Sequence, residues 1–495
     1  MIGQKSPRSS ILDEEPSRTQ LPANREEPGR SSVPFLIARL DQQKERLGLD
    51  TRAQRASIDG YLRLKEDFQK LQEREQQLPR DDPEAEIDWD FWGAVMADYE
   101  AMARNEPTRL AKAIESGIPN AIRGMVWQNM SASKDAELEQ LYSTFLKESS
   151  PHEKAIMRDL GRTFPHHAFF MDGKGIGQEN LFNVLKAYSL YDPEVGYCQG
   201  LAFIVAILLL NMPDEEAFCV FVRLMQSYNL RSIYLPEMPG LQLRLYQFDR
   251  LVEELVPVLY VHFLRQGVKS SMYCSQWYLT MFSYRFPLQV VFRIFDHLFA
   301  TGIEAIFGFS IVLLQSNEEK LLQLKFDSIL DFLKNALFDA YLVRMSVLLH
   351  VTQRSTLRVS KDSPVHYRAD LFIQDAMRVK VTPFLLDTFA SEWEELRRAQ
   401  NAHTMELESL RAANRSLTER VKALESSLAQ MSEDHVDIVK QLVMAKVEKE
   451  DTEAELVKYK MLYAEQMHAN EDANSTSNRI SAMSRLSSWS SFSRK

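Results

Sequence analysis

Two polar side chains between Ile156 and Leu210 can do chemistry that local folding does not ask of them. Arg162 closes the run Ile156-Met157-Arg158-Asp159-Leu160-Gly161-Arg162, and Gln199 sits just ahead of an apolar run. Asp159 precedes Arg162 by three, the order in which a carboxylate and a cation meet on one helix face. A bidentate pair would fix the direction of the guanidinium. Pro165 pushes Phe164 out of the α region, so the spacing predicts Arg162 in the last turn of a helix. Taken alone, the pattern also fits an ordinary surface ion pair, worth at most about 1 kcal/mol. Asp192-Pro193-Glu194 reads as a helix start, with Asp192 as N-cap and Pro193 at the first position. Gly196 and Gly200 flank Tyr197-Cys198-Gln199, and glycines so close let a partner's backbone approach. Gln199 can then place its amide against a water or a phosphate. The same glycines also fit a helix–helix contact with Gln199 bonded inside the protein. An arginine and a glutamine on one rigid frame could complete a phosphate site on another protein.

Other chemistry is missing from the sequence. Gly173 to Gln178 reads GKGIGQ, which lacks the GxxxxGK[ST] spacing and follows no strand pattern, so it reads as a turn. His166 and His167 are adjacent, whereas paired metal ligands on a helix stand at i, i+4, and no HExxH occurs. There is no GxSxG elbow, and Cys198, Cys219 and Cys274 are not at zinc spacing. No metal site is expected. What remains is binding, scaffolding, or catalysis completed on a partner.

The elements that must position these residues are helical. Ser116-Gly117-Ile118-Pro119 opens a helix, with Pro119 in its first turn. Arg123 and Trp127 are four apart on one face, which predicts the guanidinium lying against the indole. Leu201 to Leu210 is apolar throughout and reads as a buried helix, about half the length that spans a bilayer. Three-to-four spacing recurs over 138–145, 181–190, 217–225, 241–263, 276–286 and 321–337, with no convincing series of alternating strands. The fold class expected is all-α, more than ten helices followed by a long C-terminal coiled coil.

The chain has 495 residues, 45% hydrophobic and 26% charged, with a net charge of −10. These are the values of an ordinary globular protein, and the acidic balance speaks against general nucleic-acid binding. Three cysteines among apolar residues read as reduced thiols, which predicts a cytoplasmic protein. No apolar h-region opens the chain.

Composition divides the chain as follows. Residues 1–32, rich in Ser, Pro, Arg and Glu, are expected to be a disordered tail. Residues 33–85 form an amphipathic helical lead-in carrying Phe35, Leu36, Leu40, Leu62, Leu64, Phe68 and Leu71. Residues 86–355 are the globular domain and 356–400 a helical linker. Over 401–466 a heptad runs with Leu407, Asn414, Val421, Leu428, His435 and Leu442 at a, and Leu410, Leu417, Leu424, Met431, Ile438 and Ala445 at d. Asn414 at an a position favours a parallel dimer in register, whereas His435 and Lys449 weaken the seam. A long helix folded back on the domain is the other reading. Residues 467–495 are a Ser-rich tail, expected to be disordered and solvated.

The ordered blocks SGIPNAIRGMVW, IMRDLGRTFP and YCQGL, followed by QWYLT, FPL and RIFD, together resemble the signature of the TBC domain, the GTPase-activating module for Rab GTPases. The resemblance covers roughly residues 110 to 345. Phe295 stands where the family usually has Trp, and Ser116 where it usually has a basic residue. The C-terminal heptads further resemble the coiled-coil-bearing fungal exocytic and Golgi subgroup and its animal relatives. The resemblance implies that Arg162 is an arginine finger and Gln199 a glutamine finger, both offered in trans. It implies that Asp159 orients the arginine, that Tyr197 and Gly200 shape the glutamine loop, and that Arg123, Trp127, Arg293 and Asp296 are framework. It implies a GTPase activator rather than an enzyme in its own right. The chain would need no cofactor, because GTP and Mg2+ belong to the partner, a Rab-family GTPase in its GTP form. A homodimer through the coiled coil, and peripheral association with Golgi or secretory membranes through partners, complete the expectation. The alternative is a non-catalytic Rab-binding coiled-coil adaptor.

Overall fold

The computed structural model describes residues 32–48, 51–77, 87–171, 176–342 and 367–475. Of the tail expected over residues 1–32, all but Ser32, which opens a helix, lies outside the described residues, as does the end of the chain after Ser475. Among the described residues there is no strand, only one antiparallel bridge between Leu342 and Tyr367. The expected all-α class is the one observed. The chain forms two compact units that divide between Leu396 and Arg397.

In the first unit, the helix Leu201–Leu209 is buried on every side. An all-apolar helix has no face to offer water, so it must be central. It packs between Ile176–Tyr191 and Asp214–Ser227. Each large side chain so buried contributes about 1.5–3 kcal/mol. The pattern over 241–263 is two helices rather than one, Pro239–Leu255 and Pro257–Gln266. Val256 leaves the α region (φ −138°, ψ 56°), as a residue before proline tends to.

Residue 86 is not a boundary. The helix Ser32–Gly48 buries Phe35, Leu36 and Leu40 and packs on Leu288–Thr301 and Pro107–Ser116. Thr51–Gln77 buries Leu64 and Phe68, whose ring meets Trp89 at 5.6 Å, while Leu62 stays exposed. Both helices have an apolar stripe, and that stripe belongs to the common core. Nor is the region before residue 400 simply a linker. Ala369–Arg378 buries Phe372 and Ile373, with Phe372 stacked on Phe309 at 5.6 Å.

The long helix Pro383–Ser475 starts upstream of the expected residue 401 and runs past 466. Its first turns bury Leu386 and Phe389 within the first unit, and Trp393 meets Tyr246 at 5.2 Å. In the second unit the a and d side chains, among them Leu410, Leu417, Leu424, Leu428 and Ile438, are exposed along one continuous helix.

Candidate functional site

The helix Glu153–Leu160 anchors itself by Ile156, which is fully buried. It ends earlier than expected. The Arg162 backbone N–H and the Thr163 hydroxyl both donate to the Asp159 carbonyl, at 3.2 and 2.8 Å. Gly161 is a poor helix residue and supplies the cap. Arg162 therefore stands just past the last turn rather than in it. Phe164 does leave the α region, but into left-handed backbone at φ 48°.

Asp159 is the centre of the site. Its Oδ1 takes the Arg162 Nη2 at 2.6 Å, and its Oδ2 accepts from the Tyr197 hydroxyl at 2.6 Å. The carboxylate is largely buried, while about half of the Arg162 side chain remains exposed. Burial, reinforced by the bond to Asp159, pushes the Tyr197 phenol well up, so it stays protonated and serves as a donor. Arg162, Asp159 and Tyr197 are thus brought together as one cluster. The Tyr197 hydroxyl carries the link between the two loops, whereas the sequence implied only that Tyr197 shapes the glutamine loop.

The approach to Gln199 is a turn, not the expected helix start. The Gly196 N–H donates to the Asp192 carbonyl at 2.8 Å, and Gly196 lies at φ 55°. Asp192 is taken by Arg231, whose Nε and Nη2 donate to its two oxygens at 2.6 and 3.0 Å. Asp192 Oδ1 also accepts from the Val195 N–H at 3.4 Å, the expected cap contact, but only a single turn follows it. Burial pushes the Asp192 carboxyl up, but Arg231 outweighs it and the net shift is downward. Arg231 is 39 residues away, and no local signal announces it.

The glycines also do something other than open room for a partner. A Cβ on Gly200 would lie 2.6 Å from the Leu279 carbonyl oxygen, and one on Gly196 would lie 2.5 Å from the His152 ring. Gly200 sits at φ 116°. Both glycines are there because this chain's own groups come close. Gln199 between them is exposed, and no hydrogen bond holds its amide among the described residues. Its backbone runs directly into the buried Leu201–Leu209 helix, which fixes the loop from one end.

A second cluster collects the framework residues. Trp127 Nε1 and Arg123 Nε donate to Asp296 Oδ1 at 2.8 and 3.2 Å, and the Ile118 N–H donates to Oδ2 at 3.2 Å. The Arg123 guanidinium lies over Phe292 at 5.3 Å rather than against Trp127, because Asp296 draws both donors edge-on. Trp127 stacks on Phe299 at 5.0 Å and meets Phe295 at 5.9 Å. Burial raises the Asp296 carboxyl to about 6 against the pull of Arg123 and Trp127. Arg293 donates to Asp370 at 2.7 Å and to the Glu115 carbonyl, and its side chain fills the space a Cβ on Gly117 would need. Among the described residues no three His, Cys, Asp or Glu side chains gather as for a metal ion.

Residues 178–396 match the family described as RabGAP TBC domain. The chain carries a TBC domain of the RabGAP type. GTPase-activating protein GYP5 of Eremothecium gossypii is 40% identical over 428 residues, 81% of this chain and 50% of that protein. Rab GTPase-activating protein eat-17 of Caenorhabditis elegans is 35% identical over 368 residues, 72% of this chain and 39% of that protein. The chain therefore spans half or less of the length of these curated relatives. The solved Chlamydomonas flagellar RabGAP TBC domain aligns at 24% identity with a TM-score of 0.45, covering 64% of this chain and 92% of that one.

Proposed function

We propose that this chain accelerates GTP hydrolysis by a Rab-family GTPase in its GTP form, by lending it Arg162 and Gln199. The observation that carries the reading is the shared Asp159 carboxylate, which ties the arginine loop to the glutamine loop through Tyr197. Two exposed side chains are thereby presented from one support. In GTP hydrolysis the transition state spreads charge over the γ-phosphoryl oxygens. A guanidinium entering that site meets the charge where water has been excluded and its field is strongest. Such an arginine contributes about 10³ to 10⁵ in rate, or roughly 4 to 7 kcal/mol of barrier. Gln199, with its amide unclaimed, orients the attacking water. Asp159 and Tyr197 are positioning residues. GTP and Mg2+ belong to the partner, and the chain brings no cofactor of its own. That two relatives are a GTPase-activating protein and a Rab GTPase-activating protein by name supports the reading.

The chain also works as a parallel homodimer through the second unit. The exposed heptad seam supports this, and so do the charges beside it. In a parallel pair, each g side chain faces the e position of the next heptad on the other strand. That sets Glu406 against Arg411, Arg420 against Glu425 and Glu455 against Lys460, with one repulsive pair, Glu448 against Glu453. A membrane-anchored GTPase would bring the dimer to a Golgi or secretory surface.

The test is phosphate release from a panel of GTP-loaded Rab GTPases with the purified chain added. Stimulation of at least one Rab is expected, and Arg162→Ala is expected to reduce it about 10³-fold while binding survives. Binding without stimulation across the panel would replace this reading with the adaptor.

A further inference from the structure

We propose that Tyr284 and Arg285 form the surface beside the fingers that selects which GTPase is served; this rests on the reading above. The argument starts from an aromatic chain. Phe164, two residues after Arg162, meets the Phe203 ring edge-on at 5.6 Å. Phe203, four residues after Gln199, meets Tyr284 edge-on at 5.1 Å. One ring thus touches both the arginine loop and Tyr284. Phe203 is buried, whereas Tyr284 is 42% exposed. The apolar contact therefore continues from inside the site to its outer surface.

Tyr284 is held rather than free. The Arg285 guanidinium lies 4.8 Å from its ring centroid. The turn that presents it contains two successive non-glycine residues in left-handed backbone, Met281 at φ 45° and Phe282 at φ 66°. Both are fully buried, and they hold a conformation that costs on the order of 1–3 kcal/mol per residue. Strain kept in the buried part of the turn presents the exposed side chain that follows in one pose, which lowers the entropy lost on binding.

Arg285 adds charge. Its Nε donates to the Gln276 amide oxygen at 3.3 Å and its Nη1 to that of Asn335 at 3.4 Å. Both partners are neutral amides, and no carboxylate pairs with Arg285 among the described residues. Tyrosine and arginine are both among the residue types enriched at the energetic centre of interfaces. The partner it fits is a GTPase surface with an apolar side chain flanked by a carboxylate. Continuity with the finger site assigns the occupant.

The experiment measures stimulated hydrolysis against GTPase concentration for the full chain and its variants, on the best Rab of the panel. Tyr284→Ala is expected to raise KM about tenfold and to leave kcat within about twofold, with Tyr284→Phe near the parent value. Arg285→Glu is expected to raise KM more at low salt than at high salt. Arg162→Ala is the contrast, moving kcat and not KM. A Tyr284→Ala chain with unchanged KM, or with a lower kcat at unchanged KM, overturns the proposal. Should Tyr284→Ala fail to fold, Arg285→Glu decides, since that side chain is exposed and bonded only to amides. A KM unchanged by both substitutions defeats this inference alone, while a parent chain that stimulates no Rab defeats the reading beneath it.

Discussion

The Tyr197 hydroxyl donates to Asp159 at 2.6 Å across 38 residues of chain, on the oxygen that Arg162 does not use. Removing that donor leaves Asp159 free to turn and Arg162 with it. Tyr197→Phe should therefore lower stimulated turnover about tenfold, the equivalent of ~1.4 kcal/mol. KM should change little. Thermal unfolding should fall only by the ~1–2 kcal/mol of a lost hydrogen bond to a charged group. Single-turnover hydrolysis beside urea denaturation separates the two effects, and equal turnover in the variant would remove Tyr197 from the positioning of Arg162.

Asp296 bears on folding more than on chemistry. It is fully buried and compensates Arg123. Asp296→Asn keeps the shape but leaves a buried guanidinium without its counter-charge, so a loss of about 3–5 kcal/mol is expected. Asp370→Asn breaks an ion pair whose acid is exposed, and it should cost under ~1 kcal/mol. Urea unfolding of the two variants checks the contrast.

His297 is buried with neither ring nitrogen bonded among the described residues, and burial, aided by Arg293, lowers it to about 3. Its folded value lies below its unfolded value of 6.5, so the native state stays neutral while the unfolded chain takes up a proton. Stability from this group is complete above pH 6.5 and falls as the pH drops toward 3. The expected slope is about 1.4 kcal/mol per pH unit below 6.5. His297→Leu should flatten that part of the stability curve. An unchanged pH dependence between 6.5 and 5 would show that His297 gains a proton in the fold.

The heptad seam predicts that the full chain sediments as a dimer and a chain ending at Leu396 as a monomer. Asn414→Leu should raise the melting temperature of the dimer and broaden its oligomeric state, because the polar a position trades stability for register. Two monomers in the centrifuge would mean the seam pairs with nothing of its own kind.

Much of this was legible in the sequence, where the physics is local. The three-residue step from Asp159 to Arg162 made a pair, the apolar run after Gly200 made a buried helix, and the heptads made one continuous helix. What was not legible depends on distant chain. Arg231 binds the Asp192 carboxylate from 39 residues away, Asp296 draws Arg123 off Trp127, and Leu279 and His152 explain the glycines beside Gln199. The lead-in helix shows the same limit, since a stripe of Phe35, Leu36 and Leu40 does not say what it packs on. Phe164 is the mixed case: its proline neighbour announced a break, but not a left-handed one.

Because one carboxylate serves both loops, their substitutions cannot be independent. A chain without Arg162 has little left for Tyr197 to lose, and a chain without Tyr197 keeps an arginine that no longer points reliably. The two positions should show strong epistasis. Selection would then see them as one trait, kept together or abandoned together, and a lineage that gave up catalysis would be expected to drift at both.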